Sequence, residues 1–101
     1  MKESLLKIIG EYGVLPQLKY FQSEVFELGE AIIKERNTNY FGRGYDYVDD
    51  IDHIKEEIAD VTVMLKQFQH YYGISDKEIE EVMKFKVERT IKRMENEYYE
   101  K

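Results

Sequence analysis

Four carboxylates at a repeated spacing hold the chemical interest of this sequence: Glu24 with Glu27, and Glu57 with Asp60. In each pair the second residue follows the first by three positions, within a run of helical periodicity. At about 100° per residue, the two members of a pair lie roughly 60° apart on one helix. Four unpaired carboxylates brought into one half-buried cleft repel one another strongly. A divalent cation is the simplest remedy, and ligation by oxygen alone suits Mg²⁺, with Mn²⁺ as a substitute.

Two amphipathic helices must position these groups. The first carries the apolar stripe Leu18, Phe21, Val25, Leu28, Ile32; the second carries Ile51, Ile54, Ile58, Val61, Leu65. A constant offset maps one stripe onto the other, and it carries Glu24 onto Glu57 and Glu27 onto Asp60. Packing of the helices through these stripes is expected to bring the four acids together.

Helical periodicity continues over most of the chain. A short helix is expected over residues 2–11, ending near Gly10 and Gly13, and a second from Pro16 to about Arg36, since proline suits a first turn. Residues 37–48 read as a loop. A third helix is expected to start near Asp49 or Asp50, whose side chains suit an N-cap, and to end at about Tyr72 before Gly73. Ser75-Asp76-Lys77-Glu78 has the form of a capping box that opens a last helix to about Tyr98. The fold expected is an all-α antiparallel bundle of about four helices in a single domain, 1–101.

Bulk composition narrows the function. The chain has 101 residues, 43% of them hydrophobic, with 9 Tyr and 5 Phe. A chain this short buries only about 60–65% of its unfolded surface alone, so its apolar excess points to homo-oligomerisation by helix packing; the number of copies is left open by composition. The net charge of −6 argues against a nonspecific DNA binder, which needs a basic surface, and no nucleic-acid partner is expected. With no Cys there is no thiol nucleophile, disulfide framework or cysteine zinc site. No apolar run approaches the roughly 20 residues of a membrane span, and no signal-peptide core stands at the N-terminus. The expectation is a soluble cytoplasmic protein.

Three further groups qualify for a site. Lys86, Arg89 and Arg93 form a basic strip on the last helix, suited to phosphate oxygens. Intramolecular pairing with Glu is the competing use. Tyr40, Phe41 and Tyr45, with Arg43 and Tyr47, fall in the loop between the acidic helices, where a ring could stack on a base; packing of the loop is the competing use. His53 and His70 have no second His or Cys at ligand spacing and are assigned to surface or helix-end interactions.

Ser23-Glu24-Val25-Phe26-Glu27, followed beyond the loop by Glu57-Ile58-Ala59-Asp60, resembles the EExxE…ExxD signature of MazG-like nucleotide pyrophosphohydrolases, in the all-α NTP pyrophosphatase superfamily. The surrounding Glu27-Leu28-Gly29-Glu30-Ala31-Ile32 and Glu56-Glu57-Ile58-Ala59-Asp60-Val61 match as well, and the likeness covers residues 17–93. It implies that Glu24, Glu27, Glu57 and Asp60 bind Mg²⁺ and carry catalysis. It also implies hydrolysis of a nucleoside triphosphate to monophosphate and pyrophosphate, and phosphate contacts from Lys86 and Arg93. Two positions depart from the pattern. Ser23 stands for the first Glu, and Thr90 for an Asn that members often place four residues after the Lys. Phosphoribosyl-ATP pyrophosphohydrolase is a related alternative, and a non-catalytic helical nucleotide-sensing or interaction module is one from a different class.

Overall fold

Gly13 alone separates the first two helices, α1 (Lys2–Tyr12) and α2 (Val14–Tyr40). Its N–H closes α1 on the Ile9 carbonyl at 2.8 Å, and its carbonyl accepts from the Gln17 N–H at 3.2 Å. One residue can do both only because its φ of 90° and ψ of 158° lie in a region that is essentially reserved for glycine. Pro16 falls in the first turn of α2, where its missing N–H costs nothing. The computed structural model describes residues 1–40 and 47–100, with side chains at 1–37 and 49–97. Beyond α2 it contains α3 (Tyr47–Tyr71) and α4 (Asp76–Glu100), and no strand among the described residues.

The chain divides into two compact units, 1–71 and 72–101. In the first, α2 and α3 run antiparallel and α1 packs against both. Phe21 and Phe68 hold the α2–α3 pair edge to face, with ring centroids 5.7 Å apart and planes at 85°. At the other end of the pair, Lys34 reaches the buried Asp50 at 3.7 Å.

The seam between α2 and α3 is not the one expected. The helices are rotated so that Gln17, Glu24 and Ala31 of α2 are buried, and Asp50, Glu57 and Met64 of α3. Both triplets have a seven-residue spacing, and a shift of 33 residues maps each member of one onto the other. The stripe positions Phe21, Leu28, Ile54 and Val61 flank this seam, half-buried. The other stripe positions, Leu18, Val25, Ile32, Ile51, Ile58 and Leu65, stay 39–52% exposed. The acids thus take the centre of the contact, and half of each apolar stripe faces outward.

The apolar core is correspondingly thin: among the described residues, Leu5, Ile9, Ala31 and Met64 are the buried hydrophobic ones. Each large side chain so buried contributes about 1.5–3 kcal/mol, little against the entropy of ordering three helices.

The start of α3 also differs from expectation. The helix begins at Tyr47, so Asp49 and Asp50 lie inside its first turn and neither is the N-cap. Acidic groups there still suit the positive end of the helix dipole.

In the second unit, Gly73 adopts a left-handed φ of 68° just beyond α3. The capping box forms in full: the Glu78 N–H donates to Ser75 Oγ at 3.1 Å, and the Ser75 N–H to Glu78 Oε2 at 3.2 Å. α4 leaves Val82, Met83, Phe85, Val87, Ile91 and Met94 about half exposed or more. No helix among the described residues is long and apolar enough to cross a membrane.

Candidate metal centre

Glu24 comes from the middle of α2, Glu57 and Asp60 from the middle of α3. Each offers one carboxylate oxygen to a set whose members lie within 4.8 Å of one another. The rotation of the helices explains the grouping. Glu24 and Glu57 occupy equivalent positions in the seam, 5% and 8% exposed. Asp60 stands one turn along α3 at the open edge.

Glu27, expected as the fourth member, is not in this set. It is exposed and lines a neighbouring cavity of about 350 Å³ together with Glu30, Lys34, His53 and Glu57. It remains close enough for its charge to act on Glu24.

The electrostatics are those of a site short of positive charge. Burial pushes the Glu24 carboxyl above the usual carboxylate range, and the charges of Glu27, Asp60 and Glu57 push it further. A hydrogen bond from Tyr20 opposes this rise. The same bond, with the Glu24 charge, raises the Tyr20 hydroxyl above its ordinary value. Even so, Glu24 Oε2 and Glu57 Oε2 are buried with no hydrogen-bond partner. Unpaired buried carboxylate oxygens are costly. Facing acids from two helices with spare lone pairs form the donor set a hard divalent cation takes, so the residues present fit Mg²⁺ or Mn²⁺.

His53 belongs to this neighbourhood through a surface interaction, its side chain half exposed. Its Nε2 lies 3.3 Å from Glu57 Oε1, one helical turn away. The four-residue spacing between them was the signal in the sequence. On the other side of the cluster, a cavity of about 580 Å³ lies among Tyr12, Gln17, Tyr20, Asp60, Met64 and Gln67. The groove between α2 and α3 therefore has three parts in order. An amide-bearing cavity comes first, the acidic cluster stands in the middle, and a cavity with Lys34 and His53 follows.

Lys86, Arg89 and Arg93 all lie on α4, in the second unit, and are exposed. The pairing with Glu weighed for them does not occur: none makes an ion pair among the described residues. Arg89 instead lies over the Phe85 ring, 5.7 Å from its centroid. Arg89 and Arg93 share a shallow cavity of about 250 Å³ with Lys92, which the strip had left out; Lys86 is not part of it. The side chains of Tyr40, Phe41 and Tyr45, like those of Arg43 and Tyr47, lie outside the described residues. Ser23 is exposed and spends its hydroxyl on the Lys19 carbonyl at 3.4 Å, away from the cluster. Thr90 does the same on Lys86 at 2.9 Å.

No family model, no curated protein and no solved structure matches this chain.

Proposed function

We propose that this chain is a Mg²⁺-dependent nucleoside triphosphate pyrophosphohydrolase of the MazG-like kind. It would convert an NTP or dNTP and water to the monophosphate and pyrophosphate. One observation carries the reading. Two buried glutamates on facing helices, each with an unsatisfied oxygen, converge with Asp60, on the residues that make up the EExxE…ExxD resemblance.

Glu24, Glu57 and Asp60 would hold the cation, and Glu27 is within a turn of joining them. When bound, Mg²⁺ supplies positive charge to the triphosphate oxygens and acidifies water for attack on phosphorus. The chain's own residues do the rest. Glu27, standing outside the three-acid set, is the candidate to accept a proton from the attacking water. Glu57 is held by His53 and is better fixed as a ligand. Lys34 is the one lysine on the cavity beside Glu57 and would be the cation nearest to departing phosphates there, once a bound metal offsets the acids that share the cavity. Lys86, Arg89 and Arg93 are the second set of candidates for phosphate contact.

The protein acts as a homodimer or homotetramer in this reading. Its support is the outward half-stripes of α2 and α3 and the exposed apolar residues of α4, which leave a single copy under-buried. A cysteine-free chain suits the cytoplasm, where such substrates are found.

Pyrophosphate release, measured with each NTP and dNTP and with phosphoribosyl-ATP in the presence and absence of Mg²⁺, tests the assignment. Release that requires Mg²⁺ and disappears in Glu57→Gln is expected. A folded protein that binds nucleotide but releases nothing would turn the reading to a nucleotide-sensing module. Turnover of phosphoribosyl-ATP alone would turn it to the histidine-pathway relative.

A further inference from the structure

Gln67 is the most deeply buried polar residue of the first unit, 2% exposed, yet its amide is poorly used. Its Nε2 points at the Met64 sulfur at 3.7 Å, a weak acceptor, and its Oε1 has no partner. Exchanging the two amide atoms leaves the same deficit, because one end of the group stays unpaired. Gln17 faces the same cavity from α2. It too is buried, and its side chain has no hydrogen bond among the described residues. A buried amide oxygen without a partner, with a second amide across the same cavity, calls for a ligand.

The cavity's chemistry restricts that ligand. It holds no Lys, Arg or His, and its one charge is Asp60 at the border with the acidic cluster. A phosphate would be repelled there. The remaining walls are apolar and aromatic, with Tyr12 and Tyr20 each offering a ring. A flat group with apolar faces and a polar edge fits: its faces lie on rings, and its edge meets amides that present a donor beside an acceptor. A volume of about 580 Å³ leaves room for such a group with its attached sugar.

We infer that this cavity is the nucleobase subsite, and that the Gln67 amide, with Gln17, reads the hydrogen-bonding edge of the base. The amide torsion of a glutamine is broad, so Gln67 can turn from Met64 to face the base without a change of backbone. Tyr20 then spans two tasks, one ring face on the base and its hydroxyl on Glu24. Discrimination among bases follows from this placement. A base that matches the amides satisfies buried groups that a mismatched base leaves unpaired.

The assignment deepens the pyrophosphohydrolase reading and rests on it for the triphosphate end, but the cavity can be tested without turnover. The side-chain amide signals of Gln17 and Gln67 are followed by ¹H–¹⁵N NMR while the metal-free protein is titrated with each of the four common nucleosides. Gln67→Met identifies the Gln67 pair by its loss. A saturable shift of that pair with at least one nucleoside is expected. No shift with any nucleoside at millimolar concentration overturns the subsite, even if pyrophosphate release is vigorous. In parallel, kcat/KM is compared across the four dNTPs. Gln67→Met is expected to lower it about 10-fold or more for the best nucleotide, through KM, and to compress the spread among bases. An unaltered spread overturns the role of Gln67. Shifts without hydrolysis of any nucleotide keep the subsite and overturn the enzyme. If Gln67→Met fails to fold, the wild-type titration still decides.

Discussion

Glu24 and Glu57 face each other from the centres of α2 and α3, both buried, each with one oxygen that no described group satisfies. Neighbouring sites on the same seam carry apolar residues, Ala31 and Met64, at equivalent positions. The helices thus spend the best-packed part of their contact on charge. Two like charges within 4.8 Å of each other repel by about 3.5 kcal/mol or more at an effective dielectric of about 20. Protonation of Glu24, whose carboxyl is held above the usual range, or a bound cation would relieve that repulsion.

Glu57→Gln is expected to act in opposite directions on stability and on activity. Removing one of two facing charges relieves repulsion, so the metal-free protein should melt a few degrees higher, given about 4–8 °C per kcal/mol for a domain of this size. Mg²⁺, which should stabilise the wild type, should stabilise the variant much less. Pyrophosphate release should fall by at least about 100-fold, equivalent to about 2.7 kcal/mol of transition-state stabilisation. Differential scanning calorimetry with and without Mg²⁺, together with the release assay, reads all three. A variant that melts lower and keeps its Mg²⁺ response would remove Glu57 from the site.

The raised pKa of Glu24 predicts a pH dependence with a definite sign. Below the ordinary value of 4.5 the group is protonated in the folded and unfolded chain alike, and its contribution to stability is fully present. As pH rises through the elevated folded value, the folded state loses a proton that it held more tightly than the unfolded chain did. Metal-free stability attributable to Glu24 therefore falls as pH rises across that window. Cation binding needs the deprotonated form, so stabilisation by Mg²⁺ should grow over the same range. The difference in melting temperature between wild type and Glu24→Gln, followed from pH 4 to 8 in chelator, isolates the effect from other carboxylates. A flat difference would show that Glu24 titrates normally.

Gly13→Ala should destabilise through backbone strain alone. An added Cβ would meet Pro16 Cδ at 3.6 Å, an ordinary contact, so space is not the obstacle. The obstacle is a φ of 90° with ψ of 158°, which costs a residue with a side chain about 1–3 kcal/mol. Urea unfolding should show a lower midpoint with an unchanged slope. Because Tyr12 adjoins Gly13 and lines the amide-bearing cavity, the nucleoside titration should weaken too.

Much of this was legible in the sequence, and the failures have common physical causes. The Ser75–Glu78 box was readable because a capping box is local: four residues contain both partners. The constant offset marked Glu24 and Glu57 as equivalent positions, and they do converge, but it pairs Asp60 with Glu27, and only Asp60 joins them. The rotation of the helices was not legible. Residue type places Val25 and Ile58 inside and Glu24 and Glu57 at the edge, yet the exposures are the reverse. Periodicity finds the angular direction of apolar side chains, but it cannot tell a neighbour in the same chain from one in another copy. Gln17 and Gln67 were missed as site residues for a related reason, since an isolated amide reads as surface. Asp50 was read as a cap because Asp suits one, but its burial against Lys34 depends on a distant helix.

The outward half-stripes give the last prediction. Val25 and Ile58 are equivalent under the 33-residue shift, and both are nearly half exposed on a chain with a very thin core. If these faces meet a second copy, a charge placed there must be buried without a partner, at a cost of several kcal/mol per interface. If they face water, the same substitution is close to neutral, within about 0.5 kcal/mol. Ile58→Glu therefore separates the two cases. Sedimentation velocity should show the wild type as a dimer or tetramer and the variant shifted toward monomer. The melting temperature should drop, and should depend on protein concentration. Helicity at low temperature should persist, since the α2–α3 seam runs through Glu24 and Glu57 rather than Ile58. A variant that sediments and melts like the wild type would leave these stripes as solvent-facing surface and the protein's thin core unexplained.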